Sequence, residues 1–88
     1  MILENILKRG SKILKKNNIF THELDAQIIL SNLMGVRKET LITNNKIDIS
    51  EMIIEKYDNA IKRRVKREPV AHIIGKKEFW SEDFLVSR

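Results

Sequence analysis

The chain has no cysteine, which excludes disulfides and thiolate metal sites outright. Proline occurs once, at Pro69, and glycine three times, at Gly10, Gly35 and Gly75, and no linker or low-complexity tract appears. Aromatic residues make up 6% of the chain, and the one adjacent pair, Phe79 and Trp80, is a weak signal for stacking on single-stranded nucleic acid. No apolar run approaches the roughly 18 residues of a membrane-spanning helix. Glu4 stands where an export signal carries basic residues, so a cytoplasmic location is expected. Acidic residues are the minority, 12 against 17 basic ones, and the net charge of +5 favours anionic partners such as nucleic acid or an acidic protein face. The only two histidines, His22 and His72, are far apart in sequence and have no ligand-spaced carboxylates beside them, so no metal site is expected.

What remains is a globular composition, 42% apolar and 33% charged in 88 residues, enough for one domain. Ile2, Leu3, Ile6, Leu7, Ile13 and Leu14 share one side of a first helix, and lysines and an arginine occupy much of the other. Gly10 lies on the apolar side, where close approach of another backbone would explain it. Thr21 reads as the cap of a second helix, with His22, Glu23 and Asp25 in its first turn and Gly35 as its left-handed stop. That helix is apolar on most sides and belongs in the middle of a bundle. Residues 37–43 predict a short helix docking Leu41 and Ile42. Asp48 and Glu51 fit a capping box opening a longer helix that carries Ile53, Ile54, Tyr57, Ala60, Ile61 and Val65 inward, with Asp58 paired to Lys62. Pro69 ends that helix and starts a short one through Ile74. After Gly75 the apolar period changes to short runs, the pattern of a hairpin.

The residues Asp25-Ala26, Leu30, Gly35, Leu41, Arg63-Arg64, Glu68-Pro69-Val70-Ala71, Ile73-Ile74-Gly75, Glu78-Phe79-Trp80 and Phe84-Leu85-Val86 together resemble the HemK/PrmC family. These methyltransferases modify the glutamine of the GGQ motif in peptide chain release factors. His72 stands where the family usually has tyrosine, and Ser81 where it usually has glycine. The resemblance implies an all-α fold, a small bundle of four to five helices with a C-terminal β-hairpin tail. It divides the chain into a helical substrate-recognition domain over 1–75 and a hairpin linker over 76–88 towards an S-adenosylmethionine-binding catalytic domain. Neither a glycine-rich cofactor loop nor an Asn-Pro-Pro-Tyr motif is present in this sequence. No catalytic or cofactor-binding residue is therefore assigned, and the chain alone is expected not to bind S-adenosylmethionine.

The expected partner is a peptide chain release factor, with Arg63, Arg64 and Arg67 as candidate contacts and Phe79, Trp80 and Phe84 at the domain junction. The competing reading of the basic run is a solvated helix end that complements the helix dipole. A monomer with only weak, salt-sensitive nucleic-acid binding is expected. The alternative function is a free-standing basic helical module that binds nucleic acid or another protein.

Overall fold

A computed structural model describes residues 1–75; the expected hairpin, and with it Phe79, Trp80 and Phe84, lies outside the described residues. Five helices follow in order: α1 Leu3–Lys16, α2 His22–Met34, α3 Lys38–Thr43, α4 Glu51–Val65 and α5 Val70–Ile74. Helices α1, α2 and α4 pack against one another, and the short α3 and α5 lie against α2, with α5 also touching α4. The all-α expectation holds for these residues, with α2 in the centre as its nearly all-round apolar surface requires.

The core is built from Leu3, Ile6 and Leu14 of α1, Ala26, Ile29 and Leu30 of α2, Leu41 of α3 and Tyr57, Ala60 and Ile61 of α4, joined by Ile19 and Ile49. Ile13 was expected inward but is 38% exposed, and Ile42 of α3 is 60% exposed.

Gly10 has a different reason from the one expected. The nearest group is a side chain and not a backbone: the Tyr57 ring fills the space, and a Cβ built on Gly10 would stand 2.0 Å from Tyr57 Oη. That hydroxyl donates to the Leu7 carbonyl at 3.3 Å. Burial, with the nearby Asp58 carboxylate adding to it, pushes the phenol far above its ordinary pKa.

The start of α1 has no side-chain cap. Its first amides instead donate to the 45–47 segment, Leu3 N–H to Ile47 O at 2.8 Å and Glu4 N–H to Asn45 O at 3.0 Å, which satisfies groups a helix start leaves open. Ile2 and Asp48 form an isolated antiparallel bridge, and Asp48 faces the Met1 amine at 3.6 Å. Asp48 is therefore not the cap of α4. Ser50 is, its Oγ accepting from the Ile53 amide at 3.3 Å, and helix Glu51–Val65 begins directly after it. Asp58 likewise does not pair with Lys62. It takes both its hydrogen bonds from Arg9 Nη2, at 2.7 and 2.9 Å, and so ties α4 to α1.

Candidate partner-binding site

The family-motif residues of α2, α4 and α5 meet at one end of the bundle. Helix α4 closes with Arg67 in the left-handed region at φ 74. Its amide donates to Arg64 O at 2.9 Å, and the Glu68 amide reaches back to Arg63 O at 3.2 Å. This is the double hydrogen bond of a Schellman turn, which normally has glycine at the left-handed position and an apolar contact across it. Here the residues across the turn are Arg63 and Glu68. Arg63 Nε donates to Glu68 Oε1 at 2.8 Å, and Arg63 Nη2 donates to Glu68 Oε2. The hydrogen bond from Arg63 holds the Glu68 carboxyl below the usual carboxylate range and raises the guanidinium pKa in return. Pro69, extended at φ −61 and ψ 143, then starts α5.

Arg64 points the other way. Its Nε donates to Asp25 Oδ2 at 2.8 Å, and its Nη1 to the Glu68 carbonyl at 3.1 Å. The Asp25 side chain keeps 7% of its surface exposed and that of Arg64 20%, so this pair lies largely inside the protein. Thr21 completes the set. It occupies the cap position of α2 but makes no capping hydrogen bond, and its hydroxyl donates to Asp25 Oδ2 at 2.8 Å. Asp25 was expected to serve the dipole of α2 from its first turn; the structure also makes it the buried acceptor that joins α2 to the α4–α5 turn. Arg67, exposed, donates from Nη2 to Asn17 O at 2.9 Å, across to the end of α1.

The three arginines therefore divide by location. Arg63 and Arg67 lie at the surface, Arg63 with two hydrogen bonds to Glu68 and Arg67 with one to Asn17, and Arg64 lies inward. His72, which stands where the family usually has tyrosine, is exposed on α5. His22 is half-buried with its Nδ1 2.8 Å from Ser11 Oγ, a contact that periodicity alone had no means of pairing. Among the described residues no group of three or more His, Asp or Glu side chains could hold a metal. Those residues are helices with one isolated bridge. Among the described residues no strand runs through a glycine-rich turn into a helix, the unit that holds a dinucleotide in doubly wound folds.

A small helical domain whose polar side chains tie its own segments together is the class these features define. The family model for the PrmC N-terminal domain matches residues 5–75, and the chain belongs to that family. It is similar to the bifunctional methyltransferase of Rickettsia felis, 35% identical over 86 residues that cover 98% of this chain and 16% of that protein. The release factor glutamine methyltransferase of Buchnera aphidicola subsp. Schizaphis graminum is 44% identical over 63 residues, 72% of this chain and 23% of that one. That of Clostridium botulinum is 32% identical over 88 residues, the whole of this chain and 31% of its own. The chain thus spans less than a third of the length of each of these relatives. No solved structure matches it.

Proposed function

We propose that this chain is the release-factor-binding domain of a protein glutamine methyltransferase acting on the GGQ motif. The observation that carries the reading is the match of the PrmC N-terminal domain model across 5–75, together with relatives of three to six times the length, two of which bear the name release factor glutamine methyltransferase. S-adenosylmethionine, held in another part of the full-length enzyme, would supply the electrophilic methyl group. The work of this domain is orientation. Holding the body of the release factor raises the effective concentration of the glutamine side chain at the reacting centre and fixes its approach.

In this reading Arg63 and Arg67 contact the partner from the surface, and Arg64 acts through Asp25 and the Glu68 carbonyl to position the turn that displays them. The expected linker over 76–88, with Phe79, Trp80 and Phe84 at the domain junction, lies outside the described residues; the family match ends at residue 75, where the apolar period changes.

Calorimetric titration of the 88-residue chain with a release factor tests the first part. Binding weaker than that of a two-domain enzyme, diminished and less salt-sensitive after charge reversal at Arg63 and Arg67, is expected. No binding at low salt would overturn it. The gene tests the second part: codons after Arg88 should encode a glycine-rich loop and Asn-Pro-Pro-Tyr, and an unrelated continuation would refute the reading.

A further inference from the structure

Phe20 is 96% exposed, on the loop between α1 and α2. Its neighbours are all held. The Asn17 carbonyl accepts from Arg67, Ile19 is buried in the core at 4% exposure, the Thr21 hydroxyl donates to Asp25, and the His22 ring meets Ser11. Since Asn18 turns left-handed at φ 64 and Ile19 goes inward, Phe20 is directed to solvent from a loop anchored on both sides. Leu24, in the first turn of α2, is 44% exposed beside it. A large apolar knob of this kind, presented on a fixed loop, binds without the ordering cost a mobile loop would bring.

The ground next to the knob is basic. Lys15 lines one concavity with Phe20 and Leu24, and Lys8, Lys12 and Lys15 line the adjoining groove between α1 and α2. Their spacing of four and three residues places them in one row along α1. Lys8 is paired with Glu4 at 3.6 Å. Among the described residues, Lys12 and Lys15 have no carboxylate within 4.0 Å.

We propose that this face, with Phe20 as its anchor and Lys12 and Lys15 beside it, docks an acidic protein surface that presents an apolar pocket. The lysine row sets the sign of the partner. A second copy of the chain would bring like charges together in a two-fold contact. Glu23, which lines both concavities, opposes a phosphodiester backbone lying along them. The proposal rests on the reading above for the partner's identity, a release factor, and assigns the contact a face centred on the α1–α2 loop.

Titration of the 88-residue chain with a release factor, at two salt concentrations, compares wild type with Phe20→Ser and with the double variant Lys12→Glu, Lys15→Glu. Thermal melts confirm that both variants fold, as substitutions at exposed positions should. Phe20→Ser is expected to weaken binding at least tenfold, and the lysine variant to weaken it and flatten its salt dependence. Wild-type affinity in both variants, with measurable binding by the wild type, overturns this face and leaves the release-factor reading standing. No binding by the wild type overturns that reading and the proposal with it. Loss of affinity for a single-stranded RNA oligonucleotide but not for the release factor also overturns it, in favour of a nucleic-acid occupant.

Discussion

Helices α1 and α4 both end in a left-handed residue, Asn18 at φ 64 and Arg67 at φ 74, and both close with the same pair of backward hydrogen bonds. At α1 the Asn18 amide donates to Lys15 O and the Ile19 amide to Leu14 O, each at 3.1 Å. The residues across that turn, Leu14 and Ile19, are both buried in the core. At α4 the corresponding residues are the ion pair Arg63 and Glu68, and the left-handed position is held by a residue that favours it less than asparagine or glycine does. One backbone turn is thus sealed by apolar burial and the other by charge at the surface. The α4–α5 turn thus keeps a non-glycine residue in a left-handed conformation that costs stability, next to the largely buried Asp25–Arg64 pair.

Leu14→Ala removes a fully buried side chain at the apolar seal, and urea unfolding should show a loss of about 2–5 kcal/mol. Arg64→Ala leaves Asp25 buried without its cation. Its cost should be about 3 kcal/mol, the low end for breaking a buried pair because Arg64 retains some solvent exposure; a change below that of a surface substitution would show that Asp25 is satisfied by Thr21 alone. The left-handed backbone supplies a finer test. Arg67→Gly should be more stable than Arg67→Ala by about 1 kcal/mol, since both lose the bond to Asn17 and only glycine escapes the steric penalty.

The smallest effect is in pH. Glu68 has its pKa lowered in the folded chain, so its contribution is present above the unfolded carboxylate pKa and is lost as pH falls through the folded one. The stability difference between wild type and Glu68→Gln should be small at pH 7 and vanish at strongly acidic pH. Leu14→Ala should show no such convergence.

The helices themselves were legible because their signals are local. Gly35 stops α2 at φ 71, and Pro69 separates α4 from α5, as their backbone chemistry requires. Pairings across the bundle were not. Asp25 and Arg64 are 39 positions apart and Arg9 and Asp58 are 49 apart, so a first-turn acid and an adjacent lysine were the nearest available explanations for carboxylates engaged elsewhere. Asp48 had the residue type and spacing of a cap, but it is engaged in the bridge to Ile2 and Ser50 accepts from the Ile53 amide in its place. Of the candidate contacts, the sequence marked the arginine run but not Phe20, because exposure is a property of what packs nearby.

The notch at Gly10 has a consequence for the order of events during synthesis. The ring that fills it comes from Tyr57, whose hydroxyl reaches a carbonyl 50 positions earlier in the chain. Translation delivers α1 first, and until α4 has cleared the ribosome exit that helix has neither its filler nor Asp58 for Arg9. The nascent chain can form helices α1 and α2 and bring them together, but the notch stays open to water. Closure of the domain is then a late, long-range step, and its rate should depend on how soon α4 emerges more than on how readily α1 coils.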